Sequence, residues 1–208
     1  MMARFIIASN NTHKTNEMIN YLAVLGIEGV NYRQVIDQII FPPETTDDMA
    51  KNALVKAQTV HQLLPNEYVL ADDSALVIAA IPDHFGVTTM REFKAHQLHS
   101  DDEINQYVLA QMPAAAARDA YLLAHFVVIS PQNKVYTSQG KGGVKLVTKP
   151  RGNRNGLDEL LETENGQTLA EIDMPERVKY AHRGRAAMEM KNQLQQAGEL
   201  KKESKEED

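Results

Sequence analysis

The sequence predicts an α/β fold, and three kinds of observation support that class. Short apolar runs at residues 4–8 and 68–71 have the length and composition of buried strands. Segments with apolar residues at helical spacing follow these runs, and strands that alternate with helices favour an α/β domain. Polar clusters stand where predicted strands give way to helices, which is where open α/β sheets bind their ligands.

Composition narrows the class of protein further. The 208-residue chain contains no cysteine, which excludes disulfides, thiolate metal sites and cysteine nucleophiles and favours a reducing compartment. Its first apolar run is about four residues long, far shorter than the roughly 20 residues of a membrane span. We therefore expect a cytoplasmic protein without a membrane partner. The formal net charge of −6 argues against general binding to nucleic acid, so any phosphate ligand has to be bound by local groups.

The first strand-to-helix junction contains the segment SNNTHK, residues 9–14. A strand is predicted at residues 4–8 and a helix at residues 15–25, with Gly26 at its end. A helix N-terminus offers free N–H groups and a partial positive charge to a phosphate, and Lys14 adds a full charge. An ordinary turn in which Asn or Thr caps the helix fits the same residues.

A second helix is predicted at residues 49–64. One apolar stripe defines it, formed by Met49, Ala53, Ala57, Val60 and Leu64. Its polar flank carries Asn52 and Lys56 one turn apart. Lys56 is thus either a solvated helix residue or a second phosphate contact.

Acidic residues follow the next predicted strand, at residues 68–71. We expect this strand to end at Asp72, Asp73 and Ser74. Together with Glu44, the two aspartates are able to hold Mg²⁺, which takes carboxylate oxygens and is usually shared with substrate phosphates. Acidic pairs in turns also commonly just face water.

The second half of the chain predicts one more helix and a hairpin. Ser100 and Glu103 form a capping-box pattern for a helix that Pro113 ends. Strand-like segments follow at residues 120–130, 134–139 and 144–147. The turn PQNK joins the first two of them into a hairpin, and the third is expected to extend the same sheet.

The C-terminal part begins with a basic, glycine-rich loop at residues 149–156. A helix is predicted at residues 175–197, and it places His182 and Arg183 either on a plain surface or at a site. We expect one domain over residues 1–198 and a charged, disordered tail over residues 199–208. The sequence contains no HExxH, GxSxG or Walker pattern, which argues against zincin, serine hydrolase and P-loop chemistry.

Six stretches, in order over residues 5–194, resemble one family, the inosine/xanthosine triphosphate pyrophosphatases, which clear deaminated purine nucleotides. ASNNTHKTNEM is similar to that family's A-T-N-x-x-K-x-x-E-L, ETTDDMAKNALVKA to E-T-G-x-T-F-x-E-N-A-x-x-K-A, and VLADDSAL to A-D-D-S-G-L. FGVTTMR is similar to P-G-V-Y-S-A-R, KPRGNRNGLDELL to P-x-G-x-x-G-F-G-Y-D-P-x-F, and YAHRGRAA to S-H-R-G-x-A.

The resemblance implies an elongated, mixed α/β sheet in two lobes with the active site in the cleft, and a homodimer. The implied reaction is Mg²⁺-dependent hydrolysis of a nucleoside triphosphate to a monophosphate and pyrophosphate. The implied metal ligands are Glu44 and Asp73, and the implied catalytic residues are Asp73 and Asp72. The implied substrate-binding residues are Ser9, Asn10, Lys14, Asn52, Lys56, Ser74, Arg91, Asp158, His182 and Arg183.

The residues that depart from the family pattern lie mainly in the motif expected to contact the purine base. The family's F-G-Y-D is here Asn155, Gly156, Leu157 and Asp158, which lacks both aromatic residues. Stacking on an aromatic ring is worth about 1 to 3 kcal/mol per base, so we expect an altered base preference. Lys51 stands at a normally acidic position beside the metal ligands. A second hypothesis follows, namely a nucleotide-binding protein without turnover in which the Lys51 ammonium replaces the metal.

Overall fold

The computed structural model describes residues 4–153 and 156–201. Its strands are β1 (Arg4–Ile7), β2 (Glu28–Asn31), β3 (Tyr68–Ile78), β4 (Ala120–Ile129), β5 (Val135–Gly142), β6 (Lys145–Leu146) and β7 (Leu161–Glu162). Its α-helices are α1 (Thr12–Val24), α2 (Met49–His61), α3 (Thr89–Ala95), α4 (Asp101–Ala110) and α5 (His182–Gln196). Residues 202–208 of the expected tail lie outside the described part. Glu199, the first residue of the tail predicted at residues 199–208, accepts hydrogen bonds from Tyr68 and Tyr136 and is therefore attached to the domain.

A five-stranded mixed sheet organises the domain in the order β2-β1-β3-β4-β5. β1 runs parallel to both β2 and β3, whereas the β3–β4 and β4–β5 pairs are antiparallel. This confirms the α/β class and the predicted hairpin. Residues 144–147 are not a further strand of this sheet, in contrast to the prediction, because β6 pairs with β7. Gly143, with φ of 84°, separates β5 from β6, and the Ala120 and Leu146 N–H groups donate to the Val144 and Arg118 carbonyls beside the start of β4.

Helices cover both faces of this sheet, and the period-two alternation of the strands explains which residues they cover. On one face, Phe5, Leu70 and Phe126 pack with residues of α1 and α5. On the other face, Ile6, Val69 and Val127 pack with the apolar stripe of α2.

A second core lies at the far ends of β3 and β4. Leu76 and Leu122 pack there with Phe93 of α3 and Val108 of α4. The same core includes Leu146 beside the small β6–β7 sheet. The domain thus has two lobes joined through β3 and β4, as the resemblance implies.

β3 does not end at Asp72, so that prediction is wrong. β1 accompanies β3 only as far as Leu70, but β4 pairs with β3 from Val69 to Ile78. The strand therefore continues through both aspartates with one edge still hydrogen-bonded. The carboxylates lie immediately beyond the point where β1 stops.

The predicted helix at residues 175–197 is also wrong in its first part. Residues Glu176–Lys179 form a 3-10 turn, and Ala181 is extended with ψ of 143° before α5 begins at His182. The first turn of α5 lies directly on β5, because a Cβ at Gly140 would meet the His182 carbonyl oxygen at 2.1 Å. His182 and Arg183 are consequently buried residues of a helix N-terminus rather than surface residues.

The remaining helix predictions are confirmed with shifted ends. α1 starts at Thr12, because the Asn11 side chain accepts a hydrogen bond from the backbone N–H of Lys14 at 3.1 Å. The capping box of Ser100 and Glu103 is formed at the start of α4.

Candidate active site

The SNNTHK segment forms a capped helix N-terminus. Ser9 Oγ accepts from the Asn11 N–H at 3.1 Å, which stabilises the turn between β1 and α1. Asn10 points elsewhere, because its amide donates to the Ile39 carbonyl at 3.0 Å and its oxygen accepts from Tyr32. Asn11, rather than Asn10, lines the neighbouring cavity together with Lys14.

One charged cluster lies on the α1/α5 face of β3, around the buried Asp72. Arg183 Nε donates to Asp72 Oδ2 at 3.0 Å, and Lys14 Nζ lies 3.3 Å from the same oxygen. Ser74 Oγ donates to both carboxylate oxygens at 2.7 and 2.9 Å. Burial alone would raise the pKa of Asp72, but the charges of Arg183 and Lys14 hold that pKa well below its usual range. Both Asp72 oxygens are thus committed to groups of the protein.

Arg183 extends this cluster towards α1. Its Nη1 lies 2.5 Å from Glu17 Oε2, and its Nη2 donates to Ser74 Oγ at 3.0 Å. Burial opposes ionisation of Glu17, but the charge of Arg183 outweighs it and lowers the pKa of Glu17 to about 2. At neutral pH, Arg183 is therefore held between two carboxylates.

A second charged cluster lies on the α2 face of β3, around Asp73. Asn52 Nδ2 donates to Asp73 Oδ2 at 3.0 Å, while Lys56 Nζ lies 3.4 Å from Asp73 Oδ1. Lys56 Nζ also donates to Glu44 Oε1 at 3.1 Å and to the Asp72 carbonyl at 2.7 Å. Burial would raise the pKa of Glu44, yet the Lys56 charge and hydrogen bond lower it. The structure thus brings four predicted residues, Glu44, Asn52, Lys56 and Asp73, to one place.

The donor set of this second cluster fits Mg²⁺ only in part. Within residues 4–153 and 156–201, no three histidine or acidic side chains converge as a metal site. Glu44 and Asp73 both approach Lys56 Nζ, so their carboxylates lie near one another. Two carboxylates are what Mg²⁺ uses when substrate phosphates and water supply its other ligands. The residues present therefore fit a metal that is shared with a substrate.

A cavity of about 490 Å³ opens beside the first cluster. Its polar end is lined by residues of α1, by Arg183 and by Ser74. Its apolar end is formed by residues of the second-lobe core, namely Leu76, Phe93, Ile104, Leu122, Leu157 and Met174.

The wall of the apolar end contains a buried polar network. Arg177 Nη2 forms an ion pair with Asp158, and Arg177 Nε donates to the Tyr21 hydroxyl at 3.0 Å. The Tyr21 hydroxyl donates in turn to Glu17 Oε1 at 2.8 Å. Burial raises the pKa of Tyr21, so its phenol stays protonated.

His182 lies at the junction of the cavity and α5. It is 2 % exposed, and its Nδ1 has no hydrogen-bond partner among the described residues. Burial, with the nearby charge of Arg183, lowers the pKa of His182 to about 3. The imidazole is therefore neutral at physiological pH.

The Ham1 family model matches residues 5–193. This chain belongs to the Ham1 family. It is 35 % identical over 203 residues to a dihydroneopterin triphosphate diphosphatase of Limosilactobacillus reuteri, covering 96 % of this chain and 100 % of the relative. It is 33 % identical over 196 residues to a dITP/XTP pyrophosphatase of Aromatoleum aromaticum, covering 89 % and 93 % of the two chains.

Solved structures of the family have the same fold. The Ham1 protein of Staphylococcus aureus superposes with a TM-score of 0.76 at 20 % identity, covering 95 % of this chain and 100 % of that one. A HAM1 protein of Coxiella burnetii gives a TM-score of 0.74 at 27 % identity, covering 94 % and 100 %. The predicted family and fold are thereby confirmed.

Two further residues singled out in the sequence lie outside the two charged clusters of this Ham1-family site. Arg91 of α3 donates to the Thr45 carbonyl at 2.6 Å and so connects the second lobe to the segment before α2. Lys51 is exposed in the first turn of α2, and the buried ammonium between the acidic residues is that of Lys56. Asn155 lies outside the described residues.

Sequence reasoning missed polar residues of this Ham1-family site. Glu17 is the glutamate of the quoted N-terminal motif, and Arg177 precedes HRGR by one 3-10 turn; both signals were present in the sequence. Tyr21 recurs with Met18, Leu22 and Leu25 at helical spacing, which indicates an apolar contact for its ring and gives no signal for the contacts of its hydroxyl. His125 lies opposite Asp73 in the β3–β4 register, with Nε2 buried and without a partner among described groups. Burial lowers the pKa of His125.

Proposed function

We propose that this protein hydrolyses the triphosphate of a non-standard purine nucleoside, or of a closely similar bicyclic compound, to a monophosphate and diphosphate. The observation that carries the proposal is the pair of charged clusters on opposite faces of β3, of which the first, with Lys14 and Arg183, lines a cavity large enough for a bicyclic ring. Family relatives named as dITP/XTP pyrophosphatases and as a dihydroneopterin triphosphate diphosphatase support the same reaction class.

The cations of the site would bind the triphosphate. Lys14 at the start of α1 and Arg183 at the start of α5 both border the cavity. A charge-assisted bond from these groups, together with free N–H groups of the helix N-terminus, offsets the phosphate charge. Lys56 serves the same purpose on the other face of β3.

Glu44 and Asp73 would hold Mg²⁺, and the bound metal would offset negative charge on the diphosphate leaving group. Asp73 would also orient the attacking water, because its Oδ1 has, within the described residues, only the long, 3.4 Å contact with Lys56 Nζ. Both oxygens of Asp72 are already bound by Arg183 and Ser74. Asp72 would therefore position the cations that hold the substrate.

The identity of the ring that the triphosphate carries is a further, more specific part of the proposal. The dITP/XTP pyrophosphatases support an oxopurine, as the motif resemblance also implies. A second candidate is dihydroneopterin triphosphate, supported by a relative that aligns over its entire length. The absence of the family's aromatic residues at Asn155 and Leu157 removes the stacking contact expected for a purine, and it affects both candidates because a pterin ring also stacks on aromatic side chains.

Diphosphate release measured with Mg²⁺ tests the proposal. The substrates are dITP, XTP, ITP, dihydroneopterin triphosphate, GTP and ATP, each also assayed with EDTA, and Asp73→Asn is the control variant. Release that depends on Mg²⁺ and on Asp73 is expected. Absence of release, combined with nucleotide binding that persists in EDTA, would instead support the binding-protein hypothesis.

We also propose a homodimer in the cytoplasm. The family resemblance supports the dimer, and the lack of cysteine fits a reducing compartment. None of the helices in the described ranges is both long and apolar enough to span a membrane. Light scattering coupled to size exclusion checks the oligomeric state, and a single species of about 23 kDa would contradict the dimer.

A further inference from the structure

The segment that carries Glu44 into the second cluster has little support from its own backbone. Between the 3-10 turn at Tyr32–Gln34 and the start of α2 at Met49, the structure has neither helix nor strand. Within the described part of the chain, no backbone group of residues 37–47 is hydrogen-bonded to another backbone group. A segment without such bonds opens easily unless side chains hold it. The position of Glu44 therefore depends on the side chains that reach this segment.

Among the described residues, side chains hold the backbone of residues 37–47 at two positions. The first is Ile39, whose N–H donates to the Tyr32 hydroxyl at 3.1 Å. The second is Thr45, which directly follows Glu44. Thr45 is thus the support that lies next to the proposed metal ligand.

Asn52 of α2 holds Thr45 from the first lobe. Its Oδ1 accepts from the Thr45 N–H at 2.8 Å, and its Nδ2 donates to the Thr45 carbonyl at 3.2 Å. The same Nδ2 donates to Asp73 Oδ2 at 3.0 Å. One buried amide therefore fixes both the neighbour of Glu44 and the carboxylate of Asp73.

Arg91 of α3 holds the same carbonyl group from the second lobe. Its Nη2 donates to the Thr45 carbonyl oxygen at 2.6 Å. The helix α3 is itself attached to β3, because the Thr89 hydroxyl accepts from the Leu76 N–H at 3.1 Å. Arg91 thus reaches Thr45 from a firmly held element.

The Arg91 guanidinium also lies close enough to Glu44 to affect its ionisation. Burial would raise the pKa of Glu44, but the charges of Lys56, Lys14 and Arg91 lower it. Among the described residues, Nη2 is the nitrogen of Arg91 that has a protein acceptor. A contact with substrate, as the family resemblance implies for Arg91, differs from the bond to Thr45 in one respect. The bond to Thr45 exists before any ligand is bound.

We propose that Arg91 is a positioning residue for Glu44: it holds Thr45 in place, so that the second lobe helps to fix the Glu44 carboxylate near that of Asp73. This inference rests on the proposed function, in which these two carboxylates hold Mg²⁺. It makes metal binding depend on α3, a helix that supplies no metal ligand. Loss of a hydrogen bond behind a metal ligand typically weakens metal binding tenfold to a hundredfold.

Hydrogen exchange of the metal-free protein tests the support of the segment. Arg91→Met removes the donor to Thr45. The amide hydrogens of Thr45 and Asp48, which are bonded to Asn52 and to the Thr45 hydroxyl, should then exchange at least about threefold faster than in wild type. Lys94→Met is the matched control, because it removes a charge from an exposed position of the same helix. It should leave both exchange rates unchanged.

Binding of Mn²⁺ without any nucleotide, followed by electron paramagnetic resonance, gives the second readout. Positioning predicts that Arg91→Met weakens Mn²⁺ binding about tenfold or more, whereas removal of a nearby positive charge alone would strengthen it. The sign of the change therefore separates the two effects. Arg91→Lys retains a charged donor and should lose less affinity than Arg91→Met, and Lys94→Met should retain the wild-type affinity. Glu44→Gln marks the affinity of a site that lacks its ligand.

Unchanged or tighter Mn²⁺ binding by Arg91→Met would overturn the inference, and so would weaker binding with unchanged exchange at Thr45. Absence of Mn²⁺ binding by wild type would overturn it together with the metal part of the proposed function. Absence of diphosphate release from every triphosphate would refute the proposed function alone, since both readouts are taken without substrate. If Arg91→Met does not fold, Arg91→Lys decides, and equal Mn²⁺ affinity and exchange in that variant and wild type would overturn the inference.

Discussion

Replacement of Arg183 by methionine should destabilise the fold strongly. Arg183 is 8 % exposed and bridges Asp72 and Glu17. Methionine fills similar space but removes the charge, so the buried Asp72 and the partly exposed Glu17 lose their shared counterion. Removing one partner of a buried ion pair costs about 3 to 5 kcal/mol. In a chain of this size, 1 kcal/mol corresponds to about 2 to 4 °C, so the melting temperature should fall by about 6 to 20 °C.

Thermal unfolding followed by circular dichroism at pH 7 measures this loss. Arg183→Lys is the matched control, because it retains the charge and loses only the forked geometry; its decrease should be clearly smaller. The double variant Arg183→Met with Asp72→Asn tests the cause. With the Asp72 charge removed, Arg183→Met should cost at least about 1 kcal/mol less than it does alone. A decrease below about 3 °C, or strictly additive effects, would refute the ion-pair argument.

Further outcomes follow from the same clusters. Asp73→Asn should reduce kcat for diphosphate release at least about a hundredfold in a folded protein, and full activity would remove Asp73 from the mechanism. Lys14→Ala should raise KM for triphosphates, so an unchanged KM and kcat would contradict phosphate binding by the first turn of α1. Because the pKa of folded Asp72 is held below its unfolded value of about 3.9, its contribution to stability is complete above that pH and is lost as the pH falls further. Urea unfolding between pH 3 and 7 should therefore show a shallower acid-side slope for Asp72→Asn than for wild type. Lys51→Glu, which places an acidic residue in the first turn of α2 next to Asn52, should lower the Mg²⁺ concentration needed for half-maximal rate if Glu44 and Asp73 hold the metal as proposed; no change would show that Lys51 does not act on the metal.

Most elements of the fold were predictable because their signals are local. Helical spacing of apolar residues identified α1 and α2, and the Ser100–Glu103 capping box identified the start of α4. The sequence predicted too early an end for β3, because two adjacent aspartates in an apolar run are typical of a turn. Only the distant pairing with β4 and the cations on both faces make a strand with these residues stable.

The site was predictable where residue type alone carries the chemistry. Motifs predicted the lysines and carboxylates that we propose bind the phosphates, and the structure brings Lys14 to Asp72 and Lys56 to Asp73. The wall around Tyr21 was not found, because helical spacing gives no information on where a buried hydroxyl points. Such contacts join elements far apart in the sequence, and one sequence does not show them.

The adjacency of Asp72 and Asp73 limits how this protein can evolve. Neighbouring residues of a strand face opposite sides, so one peptide unit separates the α1/α5 chemistry from the α2 chemistry. Inserting or deleting a single residue between Leu70 and Asp72 would exchange the two sides and give each carboxylate the other's neighbours. Only changes of even length preserve the arrangement. The stretch should therefore diverge by substitution, and a library of single-residue insertions in β3 should show a sharp loss of function between Leu70 and Asp72.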